Sequence, residues 1–203
     1  MGRVRIKRTL IHGFGINDAD YPVHTNDTPR VICKFYLTWT SMIRRCYSSY
    51  ALRRNPTYVG CSVCEEWKYF SNFKAWMETQ DWEGKELDKD LLVPGNKIYS
   101  PSTCCFIRGD VNKFMTDAAK CRGELPIGVT KAGTKKEGYK AQCHNPFLNT
   151  VDYLGTFPTP EEAHNAWMFQ KTKHAEQLAA REKDERISKA ILDRYKRINK
   201  EFV

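Results

Sequence analysis

Across residues 34–54, apolar side chains recur at steps of three and four. Phe35, Trp39, Met42, Ile43, Cys46 and Tyr47 fall on one face, which predicts an amphipathic helix. Arg44, Arg45, Arg53 and Arg54 lie off that face, and no acid occurs between Val31 and Arg54. After a loop or short strand in NPTYVGCSV, a second helical pattern carries Trp67, Phe70, Phe73, Trp76 and Met77 as an aromatic stripe. That stripe is expected to pack against the helix bearing Trp39 rather than to face solvent. The first thirty residues break both periodicities with Gly, Asn, Asp and Pro, and read as a basic arm and an irregular segment.

The pattern then shortens. ELDKDLLVPGNKIYSPSTCCFI gives a brief alternation, a Pro-Gly-Asn turn and a second apolar run, the outline of a β-hairpin with acids on its first strand. RGDVNKFMTDAAK follows as a short helix and CRGELP as a linker. Three alternating segments separated by turns follow, predicting a three-stranded antiparallel sheet. Thr159 then reads as an N-cap, with Pro160 at the first helical position and Glu161 and Glu162 in the first turn. Ala163, Ala166 and Trp167 form the stripe that packs this helix on the sheet. The remaining tail is charged and helix-prone, and its default reading is a solvated helix. The expected class is α+β. An α-rich unit over residues 1–120 ends in the hairpin and helix, with a linker at 121–125. A sheet and helix follow at 126–170, then a charged helical tail at 171–203.

Composition adds a partner class. The 203 residues carry a formal net charge of +9, with a pI near 9.1. A basic chain of this kind points first to a polyanion, with nucleic acid the leading candidate. Hydrophobic residues make up 41%, enough for packed cores. No apolar run approaches the ~20 residues that span a bilayer, and the N-terminus does not read as a signal peptide, so a cytoplasmic chain without a membrane partner is expected. The eight cysteines are then expected as reduced, mostly buried thiols. Cys61 and Cys64 form half of a zinc knuckle, a second and weaker reading.

Two resemblances carry the function. The run LDKDLLVPGNKIYSPSTCCFIRGDVNKF resembles the HNH (ββα-metal) endonuclease motif, in the branch found in phage and intron homing enzymes. The pattern W-x-x-M-x-x-R-C-Y followed by Y-x-x-C-x-V-C-E-E-W-x-x-F-x-x-F resembles the same proteins. The likeness spans roughly residues 13–115. It implies a strand-one acid at Asp88 or Asp90, a turn at Gly95-Asn96, a second strand at Phe106-Ile107 and a helical ligand at Asn112. The oxygen set Asp88, Asp90 and Asn112 favours Mg2+ or Mn2+ over zinc. The family's histidine base is missing from the hairpin. Its place falls to Lys89, or to Asp88 or Asp90 in a shifted register. The catalytic candidates are therefore Asp88, Lys89, Asp90 and Asn112.

Downstream, Gly128-Val129, Tyr139-Lys140-Ala141, Leu154-Gly155-Thr156-Phe157, Glu161-Glu162-Ala163 and Ala166-Trp167 resemble the ethylene-response-factor type DNA-binding domain. The resemblance implies a sheet laid in the DNA major groove, with Lys131, Lys135, Lys136, Lys140 and Gln142 as contacts. Lysine meets phosphates but lacks the fork that reads guanine. Arg3, Arg5, Lys7, Arg8, Arg44, Arg45, Arg53 and Arg54 are expected to track the phosphate backbone. The leading expectation is a metal-dependent endonuclease on double-stranded DNA. The alternatives are an inactive DNA-binding descendant that regulates or inhibits host machinery, and a module binding an acidic protein.

Overall fold

The computed structural model describes residues 9–25, 31–116, 124–133 and 137–201, with side chains to 195. The protein is mixed α and β and divides into two compact units, residues 1–106 and 107–203.

The first unit is built on α1 (Lys34–Tyr47), α2 (Ser49–Arg54) and α3 (Phe70–Glu78). The single helix expected over 34–54 is broken at Ser48. That residue adopts an extended backbone, and its hydroxyl accepts the Ala51 N–H at 3.4 Å, so one serine ends α1 and caps α2. The aromatic stripe is core, as read. Trp39, Trp67, Phe70 and Phe73 are buried, and the Trp39 indole donates to the Trp67 carbonyl at 2.7 Å. Rings meet edge-on or tilted in Trp67–Phe73 and Trp39–Phe70, and stack in Trp76–Phe106. The N-terminal segment lies on this core. A Cβ at Gly15 would meet Ile43 at 2.4 Å, so only glycine lets the backbone pass there.

Short strands complete the unit: β1 (Ser62–Val63), β2 (Glu86–Asp88), β3 (Ile98–Tyr99) and β4 (Cys105–Ile107). β1 pairs in parallel with β3, in the register Ser62↔Ile98 and Val63↔Tyr99. β2 pairs with β4. The segment between β2 and β4 is therefore no tight hairpin, because β3 leaves it to pair elsewhere. The Pro-Gly-Asn turn does form. Gly95 has φ +77° and the Asn96 N–H donates to the Val93 carbonyl at 3.0 Å.

The second unit holds α4 (Gly109–Met115), β5 (Val129–Lys131), β6 (Tyr139–Asn145), β7 (Thr150–Phe157), α5 (Pro160–Ala179) and α6 (Glu185–Glu201). The expected three-stranded antiparallel sheet is present in the order β5-β6-β7. Thr159 caps α5 by accepting the Glu162 N–H at 3.2 Å, with Pro160 in the first turn. Val129, Ala141, Cys143, Ala163, Trp167 and Met168 are buried between sheet and helix. Gly128 has φ +82°, and a Cβ there would lie 2.1 Å from the Trp167 ring, so its close approach requires glycine.

Two expectations change. The division between units lies within β4, after Phe106, upstream of the linker read at 121–125; residues 117–123 lie outside the described set. The cause is the attachment of α4. The Lys171 ammonium and the Tyr195 hydroxyl both donate to the Phe114 carbonyl, at 3.0 and 3.3 Å, so α5 and α6 hold α4. The tail is also not a solvated helix. Ile187, Ile191 and Tyr195, each four apart, are buried and make α6 one wall of the unit.

Candidate functional site

Asp88, Lys89 and Asp90 leave β2 as one tight turn. The Asp88 Oδ1 accepts the N–H groups of Asp90 at 2.9 Å and Leu91 at 2.7 Å, closing the turn by itself. Burial pushes the Asp88 carboxyl above its ordinary value, and the Leu91 N–H partly offsets this. Lys89 is only 7% exposed, and its ammonium lies 3.1 Å from the Asp90 Oδ2 and over the Tyr99 ring. Asp90 is the more open of the two carboxylates. Across the loop, the Asn96 amide donates to the carbonyls of Lys89 at 2.6 Å and Ile98 at 2.7 Å. Its Oδ1 accepts the Ile98 N–H. Asn96 thus ties the start of the loop to β3, a role that sequence reading missed because it took Asn96 only as a turn residue.

Asn112 lies midway along α4, in the second unit. Among the described residues, no three His, Cys, Asp or Glu side chains gather into a group able to hold a metal ion. Cys61 and Cys64 flank β1, Cys61 buried and Cys64 half-buried with its thiol pushed up by burial. Every described cysteine is a free thiol.

The sheet has one covered and one open face. Strand alternation places Val129, Ala141 and Cys143 under α5, and Thr130, Lys140, Gln142 and His144 on the other side. Register then pairs Lys140 with Thr156, Gln142 with Tyr153 and His144 with Val151. Tyr153 is 60% exposed and its hydroxyl bonds that of Thr156 at 2.8 Å. Of the expected contacts, Lys140 and Gln142 therefore lie on the open face. Lys131 ends β5 with the parity of Val129, pairs with Tyr139 and is exposed. Lys135 and Lys136, like Arg3, Arg5, Lys7 and Arg8, lie outside the described residues. Thr130, His144, Val151, Tyr153 and Thr156 share that face and were not among the expected contacts. Alternation from Gln142 would have found His144. The register shift at Ala141/Gln142 hides the β7 partners from any count along the chain.

Arg44, Arg53 and Arg54 are exposed on α1 and α2, as expected, while Arg45 is half-buried against the Tyr58 ring. No helix among the described residues is long and apolar enough to cross a membrane. The chain matches no protein-family model, no curated protein and no solved structure.

Proposed function

We propose that the chain is a DNA endonuclease of the HNH homing type that hydrolyses phosphodiester bonds in double-stranded DNA. One observation supports this reading above the others. A strand ending at Asp88 pairs with a strand at 105–107, and a helix follows directly, in the order that the resemblance requires. The sheet of the second unit, with Lys140, Gln142 and Tyr153 on its open face, is the docking surface in this reading, and the net charge of +9 favours a DNA partner.

The oxygen donors at β2 suit a hard divalent cation. The burial that raises the Asp88 carboxyl is the kind that a bound cation offsets. Asp88 and Asp90 are the residues that would hold Mg2+ or Mn2+, and the ion would supply Lewis-acid stabilisation of the leaving oxygen. Asp88 fixes the turn through Oδ1 and keeps Oδ2 for the ion. Lys89 contributes its charge, held on Asp90. Asp90, the more open carboxylate, is then the group placed to take a proton from water.

The second reading is a non-catalytic DNA-binding protein on the same scaffold. Its support is Lys89, a buried and ion-paired amine where the family places a histidine base. Supercoiled plasmid incubated with Mg2+ or Mn2+ separates the two. The endonuclease reading expects nicking that is lost in Asp88→Asn and Asp90→Asn. Intact plasmid with a persistent, salt-sensitive gel shift would leave only the DNA-binding reading.

A further inference from the structure

Residues 31–64 and 91–109 contain no Asp or Glu. These two segments are far apart in sequence, and the parallel pairing of β1 with β3 joins them in the first unit. Where they meet, the Arg45 guanidinium stacks 5.8 Å from the Tyr58 ring and faces the Tyr99 hydroxyl. Lys97, just before β3, reaches back to the same turn and donates to the Thr57 carbonyl at 2.9 Å. Neither Arg45 nor Lys97 has a carboxylate within 4.0 Å among the described residues. The neighbouring Lys89 is different, because Asp90 already neutralises it.

A half-buried guanidinium without an anion is costly to desolvate, and a stacked aromatic ring recovers only part of that cost. Arg45 and Lys97 together present a planar fork and a point charge, beside two phenol groups, with no acid on either segment to repel an anion. That combination matches a tetrahedral oxyanion.

We propose that the seam formed by Arg45, Tyr58 and Lys97 binds a phosphate group of a nucleic-acid backbone. The proposal deepens the DNA reading and rests on it for the source of the phosphate, though not for the anion. It makes Arg45 a phosphate anchor in a defined seat rather than one member of a diffuse basic surface.

The test uses the full chain, with Arg45→Gln and Lys97→Gln made singly. Thermal melts in inorganic phosphate are compared with melts in chloride at equal ionic strength, and a fluorescent duplex is titrated at several salt concentrations. Phosphate is expected to raise the wild-type melting temperature and to have a reduced effect on both variants. Each variant is expected to bind duplex about tenfold more weakly, with a salt slope smaller by about one. Should Arg45→Gln fail to fold, the exposed Lys97→Gln decides alone. Variants that bind phosphate and duplex as the wild type does overturn the seat and leave the DNA reading standing. A phosphate response lost in the variants, with no duplex binding by the wild type, keeps the seat and overturns the DNA reading.

Discussion

Trp39 in the first unit and Lys171 in the second are both buried, and they are held in opposite ways. Trp39 sits among Tyr36, Phe70 and Trp67, with its single polar atom bonded to a carbonyl. Lys171 is 9% exposed; it donates to the Phe114 carbonyl and lies 3.5 Å from the centre of that ring. Around it the second unit also buries His164, His174 and Cys143. The first core is stabilised mainly by apolar area and ring contacts, which titrate with nothing. The second depends on satisfied polar groups, which makes it specific but exposes it to pH and to loss of one partner. The same folding problem is met in one unit by size and in the other by pairing.

The largest expected effect lies on the apolar side. Trp39→Ala removes a ring and leaves a cavity, and should cost about 3–5 kcal/mol, read by denaturant unfolding with probes in the first unit. A loss below ~1 kcal/mol would show that this core is loosely packed and would undo the contrast. Next comes Gly128→Ala in the second unit. It combines a positive φ with a collision against Trp167 and should cost about 2–3 kcal/mol. An unchanged midpoint would mean that Trp167 can move aside.

Lys171→Met keeps the length of the side chain and removes one of two donors to the Phe114 carbonyl. The expected loss is about 1–3 kcal/mol, accompanied by faster amide exchange in α4. A gain in stability would instead place Lys171 among buried charges that an apolar residue replaces without loss.

The smallest effect is the most discriminating, because the two units should respond to acid with opposite signs. Burial holds His174 below its ordinary 6.5, with the Asp152 charge opposing this and the Lys171 charge adding to it. Its contribution is therefore present above pH 6.5 and lost as pH falls through its lowered folded value. Asp88 is raised above 3.8, so its contribution is present below that pH and lost as pH rises through its folded value. Melts from pH 7 to pH 4 should show the second unit weakening, and His174→Gln should flatten that trend. Asp88→Asn, which keeps the turn acceptor, should flatten the opposite trend in the first unit. Parallel trends in both units would remove this part of the comparison.

Legibility in the sequence followed the length of the pattern. The Trp39 helix, the aromatic stripe, the three-stranded sheet and the Thr159 cap were all readable, because each rests on periodicity or on a local capping rule. The break at Ser48 was not readable, since a serine in mid-helix is common and only its capping bond reveals it. The burial of α6 was hidden because charges dilute Ile187, Ile191 and Tyr195 in the tail. At the candidate site, the chain order brought Asp88, Lys89 and Asp90 together on paper and in space. The Asn96 tie, the Lys89–Asp90 pair and the β7 side of the open face depend on loop closure and on a register shift. No one-dimensional count supplies those.

The parallel pairing of β1 and β3 also bears on how the chain acquires its structure. Ser62 must find Ile98, whereas β5, β6 and β7 pair with neighbours close in sequence. Closing the longer loop is the slower search. During synthesis, β1 emerges early and waits for its partner until Tyr99 has been made. The first unit thus closes on a long-range pairing, and the second on pairings between neighbours. The acid-free segments 31–64 stay apart from 91–109 until that moment, so the seam around Arg45 exists only in the finished fold.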